Sequence, residues 1–319
     1  MRLQVLIATQ GQSGHRLLDQ MQIRSDAIIG NQCGRYEVET FSFHGYDVQI
    51  YSYRERGVGL NRNHIWMRAN ADICLFADDD VRYDDHYAEK ILTGFSKHPE
   101  ADVLLFNFHC KNKTREEYII PKWKRVRWYN SLRYGTYRIA VRTERVRRAN
   151  IAFSLLFGGG ARYGSGEDCI FLHDCLRHGL KIYACPIFLG EVYHQDSTWF
   201  HGYTQKFFHD KGALFAHLFP RLAKPFCLAF LIRHPSFRTD GSEQNGHTDC
   251  GAYAHSGFDL HGIGVFFHIG KSHAGSEAQA PGFFRGSGIS LLHGFFNIGD
   301  SLSMVLQDHI HPVGADGDR

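Results

Sequence analysis

An α/β domain with a mostly parallel sheet is the fold class that the sequence predicts, and three observations predict it. Short apolar runs alternate with stretches of helical period through the first part of the chain, a β-α-β-α rhythm. Polar turns bound each run. The 319 residues are 43% hydrophobic and 22% charged, ordinary for a soluble globular protein and enough for a core of good size. In such sheets ligands bind at the carboxyl ends of the strands. The loops after Ala8, Ile29 and Ala77 are therefore where chemistry is expected.

The elements follow in order. Residues 3–8 read as a strand, then a polar turn and a short helix near 15–20. Residues 26–30 and 47–51 read as strands and 57–70 as a helix. Residues 73–77 are an apolar run ending in acids, and Tyr87, Ile91, Leu92 and Phe95 recur at helical spacing. Residues 103–108 form a further apolar strand. A glycine-dense stretch, 157–166, leads into an amphipathic helix carrying Phe171, Leu172, Cys175 and Leu176. An edge strand is expected before Tyr193.

Charge divides the chain. Only three of its 36 Lys and Arg residues lie beyond Asp240, but eight of its 33 acids do, so residues 1–240 are net +8 and the remainder −5. A basic first part suits a protein that handles phosphates or meets an acidic membrane surface. The overall charge of +3 is too small to argue for nucleic acid. The reading is a domain over 1–200, an aromatic and basic helical segment over 201–240, and an irregular Gly- and His-rich tail over 241–319. The tail shows neither helical nor strand period and is expected to be dispensable for chemistry. None of the eight cysteines forms a C-x-x-C pair, so no zinc site is suggested. No signal peptide and no apolar run of membrane-spanning length are read, and a cytoplasmic setting is expected, at the inner face of the membrane if the helical segment docks there.

The run 73–77 leads straight into Asp78, Asp79 and Asp80. Adjacent carboxylates repel one another and are poor strand formers. Delivered together to a sheet edge, they suit a hard divalent cation, Mn²⁺ or Mg²⁺. The bland alternative is a solvated turn capping the helix that starts near Asp84. Upstream, Gly57 and Gly59 open the 57–70 helix and Arg62 and Asn63 follow. A helix start presents unpaired N–H groups and suits a phosphate, which Arg62 could grip with both ends of its fork. The bland alternative is an exposed Arg62 on a helix whose Leu60 and Met67 face the core. Thr9 and Asn31, at the ends of the first two strands, are candidate donor contacts with Arg62, Asn63, Asp78 and Asp79.

Downstream, Glu167 and Asp168 open a helix directly after the glycine-dense loop. A carboxylate there could accept the proton of an attacking hydroxyl, or simply complement the helix dipole. His194 is a candidate metal or diphosphate ligand, against the commoner structural histidine. Trp199 is a candidate acceptor contact, since its ring suits the C–H face of a pyranose, against a half-buried interface Trp. Residues 206–224 mix Phe and Leu with Lys and Arg and read either as a surface for an anionic membrane or as a helix packed on the core.

The segment Asp72-Ile73-Cys74-Leu75-Phe76-Ala77-Asp78-Asp79-Asp80 resembles the Asp-x-Asp segment of family 2 glycosyltransferases. Gly57-Val58-Gly59-Leu60-Asn61-Arg62-Asn63 resembles that family's helix start, and Gly166-Glu167-Asp168-Cys169 its Glu-Asp motif. The resemblance covers residues 1 to about 235, with one departure: Gly30-Asn31-Gln32-Cys33-Gly34 replaces the family's Asp-Asp-Gly-Ser stretch. It implies a GT-A type domain and an inverting transfer of sugar from a nucleotide-sugar donor to a saccharide or lipid-linked acceptor in cell-surface polysaccharide synthesis. It also implies a divalent metal held by Asp80 and Asp78, Asp168 as base, and Glu167 placing the acceptor. A nucleotidyltransferase and a non-catalytic sugar-nucleotide binder are the alternatives.

Overall fold

A computed structural model describes residues 1–111, 118–193 and 204–233. His194, Trp199 and the tail 241–319 lie outside these residues. The chain divides into two compact units, with the boundary between Gly202 and Tyr203.

In the first unit, the strands are β1 (Leu3–Gln10), β2 (Asp26–Gln32), β3 (Glu37–Phe43), β4 (Tyr46–Tyr53), β5 (Ile73–Asp78), β6 (Val81–Tyr83), β7 (Val103–Cys110), β8 (Lys124–Arg125), β9 (Ile139–Arg142) and β10 (Ile182–Val192). They form one ten-stranded sheet in the order β3-β4-β2-β1-β5-β9-β7-β10-β6, with β8 on β10. β4, β2, β1 and β5 run parallel, as do β7 and β10. β9 lies antiparallel between β5 and β7. The expected mostly parallel α/β architecture is what the chain adopts.

Strand alternation splits the core into two layers. On one face Val5, Ile7, Leu75 and Phe106 meet Leu18 and Met21 of α1 (Arg16–Met21) and Ile91 and Phe95 of α3 (Tyr87–Lys97). On the other, Leu6, Phe76 and Leu105 meet Ile65 and Trp66 of α2 (Val58–Arg68), Val146 of α4 (Thr143–Arg148) and Phe171 of α5 (Glu167–Arg177). Phe76, Phe153 and Phe171 interlock here, with ring centroids 4.5 to 5.4 Å apart.

Three features depart from the sequence reading. β3 pairs with β4 through a turn at His44 and Gly45, both at positive φ. The strand sits at the sheet edge and is largely solvated, so it lacks the apolar run that marks the buried strands. β9 was likewise unmarked, being only four residues long. Finally, α2 is rotated from the bland expectation: Met67 is 76% exposed and Arg62 only 4%. Burying Ile65 and Trp66 brings Asn61 and Arg62, one turn earlier, to the inner face.

The second unit contributes α6 (Gln205–Leu218), whose start is capped by the Thr204 side chain, and α7 (Ala223–Arg233). Phe215 and Phe219 of α6 pack on Phe226 of α7. Among the described residues no helix is long and apolar enough to cross a membrane.

Candidate active site

The carboxyl ends of β1, β2, β4 and β5 converge on the amino end of α2. Asn61, 2% exposed, is the fastener. Its amide nitrogen donates to the carbonyls of Thr9 (3.2 Å) and Gly30 (2.9 Å), and its oxygen accepts from the Tyr53 hydroxyl (2.5 Å). One side chain thereby ties three strand ends to a helix. Gly30 has to be glycine here, because a Cβ would stand 1.9 Å from the Asn61 oxygen. Sequence reasoning missed Asn61. Its one available signal is a polar residue four before Ile65, on the buried face of α2.

Asn31 is equally engaged. It accepts from the Gln12 N–H and donates to the Gln12 carbonyl, both at 3.0 Å, and to the Ser52 hydroxyl at 3.2 Å. It therefore shapes the loop after β1. Asn63 grips the backbone of Phe153 at both N–H and carbonyl, each 2.8 Å. This pins the 153–158 segment to α2, and its amide too is engaged within the fold.

Arg62 joins the two acidic motifs. One end of its fork donates to Asp78 Oδ1 and the other to Glu167 Oε1, each at 2.6 Å. Its side chain is 5% exposed and lies 5.5 Å from the centre of the Phe153 ring. Burial alone would lower the guanidinium pKa, but attraction to Asp78 and Glu167 prevails and raises it. Both ends of the Arg62 fork hold carboxylates of the chain itself. Glu167 is correspondingly an Arg62 partner, 13% exposed. Gly158 makes room for it: its φ is +108°, and a Cβ there would come within 2.9 Å of the Glu167 carboxylate.

The three aspartates have different surroundings. Asp78 is held by Arg62, yet burial pushes its pKa upward, with repulsion from Asp80 adding to it and attraction to Arg62 opposing. Asp79 Oδ2 accepts from the Thr9 hydroxyl at 2.5 Å. Burial raises its pKa also, against that hydrogen bond. Thr9 is thus in the site, turned to Asp79. Asp80 stands at the turn before β6, and its carbonyl accepts from the Tyr193 N–H at 2.9 Å. Asp168 lies in the first turn of α5 next to Glu167, half-buried, with one oxygen 2.6 Å from the Cys169 N–H.

Among the described residues no three His, Cys, Asp or Glu side chains are grouped to hold a metal. The acids still fit a hard cation of the Mg²⁺ type, which binds through one or two carboxylates and takes its other ligands from water and substrate phosphates. Arg62 engages Asp78 and Thr9 engages Asp79.

The Glycosyl transferase family 2 model matches residues 36–153, a span that contains Asn61, Arg62 and all three aspartates and ends before Glu167. No curated protein sequence matches the chain. Among solved structures, residues 1–349 of S. aureus TarS are similar at 16% identity and a TM-score of 0.52, over 76% of this chain and 74% of that one. The same TarS segment in complex with UDP-GlcNAc gives 16% and 0.52, over 76% and 75%. A longer S. aureus TarS chain gives 17% and 0.53, over 76% of this chain and 45% of that one. The expected family resemblance and the expected fold class are both found: the chain carries a glycosyl transferase family 2 segment, residues 36–153, within a fold shared with S. aureus TarS.

Proposed function

We propose that the chain is a nucleotide-sugar glycosyltransferase of inverting type, acting in cell-surface polysaccharide synthesis. The observation that carries the reading is the Arg62 clamp. It draws the acids at the end of β5 and the acids at the start of α5, far apart in sequence, into one site. A transferase needs such a pairing, with donor-side acids beside an acceptor-side base. The UDP-GlcNAc complex of TarS makes UDP-GlcNAc the first donor to try.

In this reading the acceptor hydroxyl attacks the anomeric carbon from the face opposite the diphosphate. A C–O bond forms to the acceptor, the bond to the diphosphate oxygen breaks with its electron pair, and the hydroxyl proton passes to Asp168. Arg62 holds Glu167 fixed, so the first turn of α5 keeps Asp168 in place. A divalent ion, Mn²⁺ or Mg²⁺, held by Asp80 with Asp78 nearby, would supply positive charge to the departing diphosphate. His194 as a further ligand and Trp199 as an acceptor contact belong to the same proposal, as does docking of the 206–224 segment at the inner face of a membrane.

The test is nucleotide release and product analysis with UDP-GlcNAc and other nucleotide-sugars, with and without Mn²⁺ or Mg²⁺. Asp168→Asn should lower transfer by roughly a hundredfold or more at unchanged donor affinity. Asp80→Asn should abolish any gain in donor affinity from metal. Transfer near wild type in Asp168→Asn, or a nucleotidylated product, would overturn the assignment.

A further inference from the structure

Helix α7 is apolar on both sides. At about 100° per residue, Ala223, Phe226, Cys227 and Phe230 share one side, and all four are buried. Phe226 packs on Phe215 and Phe219 of α6, with ring centroids 5.8 and 4.6 Å away, and Phe230 on Phe208 and Phe215 at 6.3 and 6.1 Å. The opposite side carries Lys224, Pro225, Leu228, Ala229, Leu231 and Ile232, none of them buried. Leu228 is 44% and Ile232 62% exposed, one turn apart, and Leu222, just before the helix, is 37% exposed. A helix that packs one side on a core turns polar and charged residues to the other. Here Lys224 is the one charged residue on the outward side. Single exposed leucines are ordinary, whereas a continuous apolar helix side is not.

The charges bordering this side have one sign. Arg221 and Lys224 are exposed at its amino end. Between Thr204 and Ile232 the sequence has four Lys and Arg residues and one acid, Asp210, which is buried and accepts from Lys206 at 2.5 Å. A second copy of this segment would set these cations against their like, and a soluble polyanion would leave the apolar side uncovered. An apolar side edged by cations matches the interface of a bilayer with anionic headgroups. The 11 residues of α7 span about 17 Å, little more than half the hydrocarbon thickness, so the helix can lie in that interface but not cross it.

We propose that the outward side of α7 is a docking face for an anionic membrane. Leu222, Leu228 and Ile232 enter the boundary between headgroups and acyl chains, and Arg221 and Lys224 meet the lipid phosphates. This extends the membrane docking included in the transferase reading to a named helix face, and it depends on no step of the transfer.

The test is flotation of the full chain with vesicles of phosphatidylcholine alone or of equal parts phosphatidylcholine and phosphatidylglycerol. Wild type should float with the anionic vesicles, less with the neutral ones, and should lose part of its binding as salt rises. Leu228→Gln combined with Ile232→Gln should weaken partitioning about tenfold or more. Arg221→Gln and Lys224→Gln should each weaken it about fivefold on anionic vesicles and hardly at all on neutral ones. All four positions are exposed, so each variant should unfold thermally like wild type. Flotation of the folded leucine and isoleucine double variant equal to wild type would overturn the docking face. If that variant proves unstable, unchanged anionic binding in folded Arg221→Gln and Lys224→Gln overturns it equally. So would equal wild-type binding to both vesicles, no flotation at all, or a lipid-free oligomer that the double variant dissociates. Flotation is read without donor, so nucleotide release from UDP-GlcNAc reports separately on the transferase reading.

Discussion

Replacing Arg62 by methionine removes the charge and the fork while keeping much of the volume. Two charge-assisted hydrogen bonds of 2.6 Å disappear, and Asp78 and Glu167 lose the cation between them. Breaking a buried ion pair from one side costs about 3–5 kcal/mol, and each charge-assisted bond about 1.5–3 kcal/mol. Asp78 keeps 32% of its side-chain surface accessible and Glu167 13%, so water relieves part of that. The expected loss is about 3–4 kcal/mol at pH 7, a large share of the 5–15 kcal/mol typical of a folded domain. Urea unfolding followed by tryptophan fluorescence measures it. The combined variant Arg62→Met, Asp78→Asn, Glu167→Gln should recover most of the loss, because two amides in that space do not repel. In Arg62→Met alone the deficit should shrink as the pH falls, since both carboxylates can then take up protons. A deficit below about 1 kcal/mol, or no recovery in the combined variant, would refute the clamp as the link between the two motifs.

Two further predictions concern the same strand ends. Asn61→Ala leaves the Thr9 and Gly30 carbonyls and the Tyr53 hydroxyl without their partner, a loss of about 2–5 kcal/mol after water satisfies some of them. Asn61→Asp should also destabilise, because a carboxylate cannot donate to two carbonyls; wild-type urea midpoints in both variants would count against the fastening role. Asp79→Asn keeps an acceptor for the Thr9 hydroxyl but removes a charge whose burial raises the carboxyl above its usual 3.8. Ionised Asp79 therefore disfavours folding: wild type should lose stability as the pH rises from 3.8 through the raised folded-state pKa, and Asp79→Asn should not lose that increment. Urea midpoints across pH check this; an advantage of Asp79→Asn that persists below 3.8 would refute it.

The sequence by itself determined the elements whose physics is local. The apolar runs of β1, β2, β5 and β7 announce strands because both faces of a central parallel strand are buried. α2, α3 and α5 announce themselves through helical period. The acids of Asp78–Asp80 and the pair Glu167–Asp168 stand out because few folds leave such groups at element ends without a use. β3 and β9 were not legible, one being solvated and the other too short to show a pattern. Only the tertiary structure decided what the polar residues do. Arg62, Asn63 and Asn31 read as donor contacts from their places at a helix start and a strand end. Folding gives Arg62 two carboxylates 16 and 105 residues away, Asn63 a backbone 90 residues away and Asn31 the turn at Gln12. For Arg62 the rotation of α2 causes this: burial of Ile65 and Trp66 turns Asn61 and Arg62 inward, and a buried amide or guanidinium must find partners within the protein. Which partners those are depends on how strand ends far apart in sequence meet one helix start, and no local pattern carries that information.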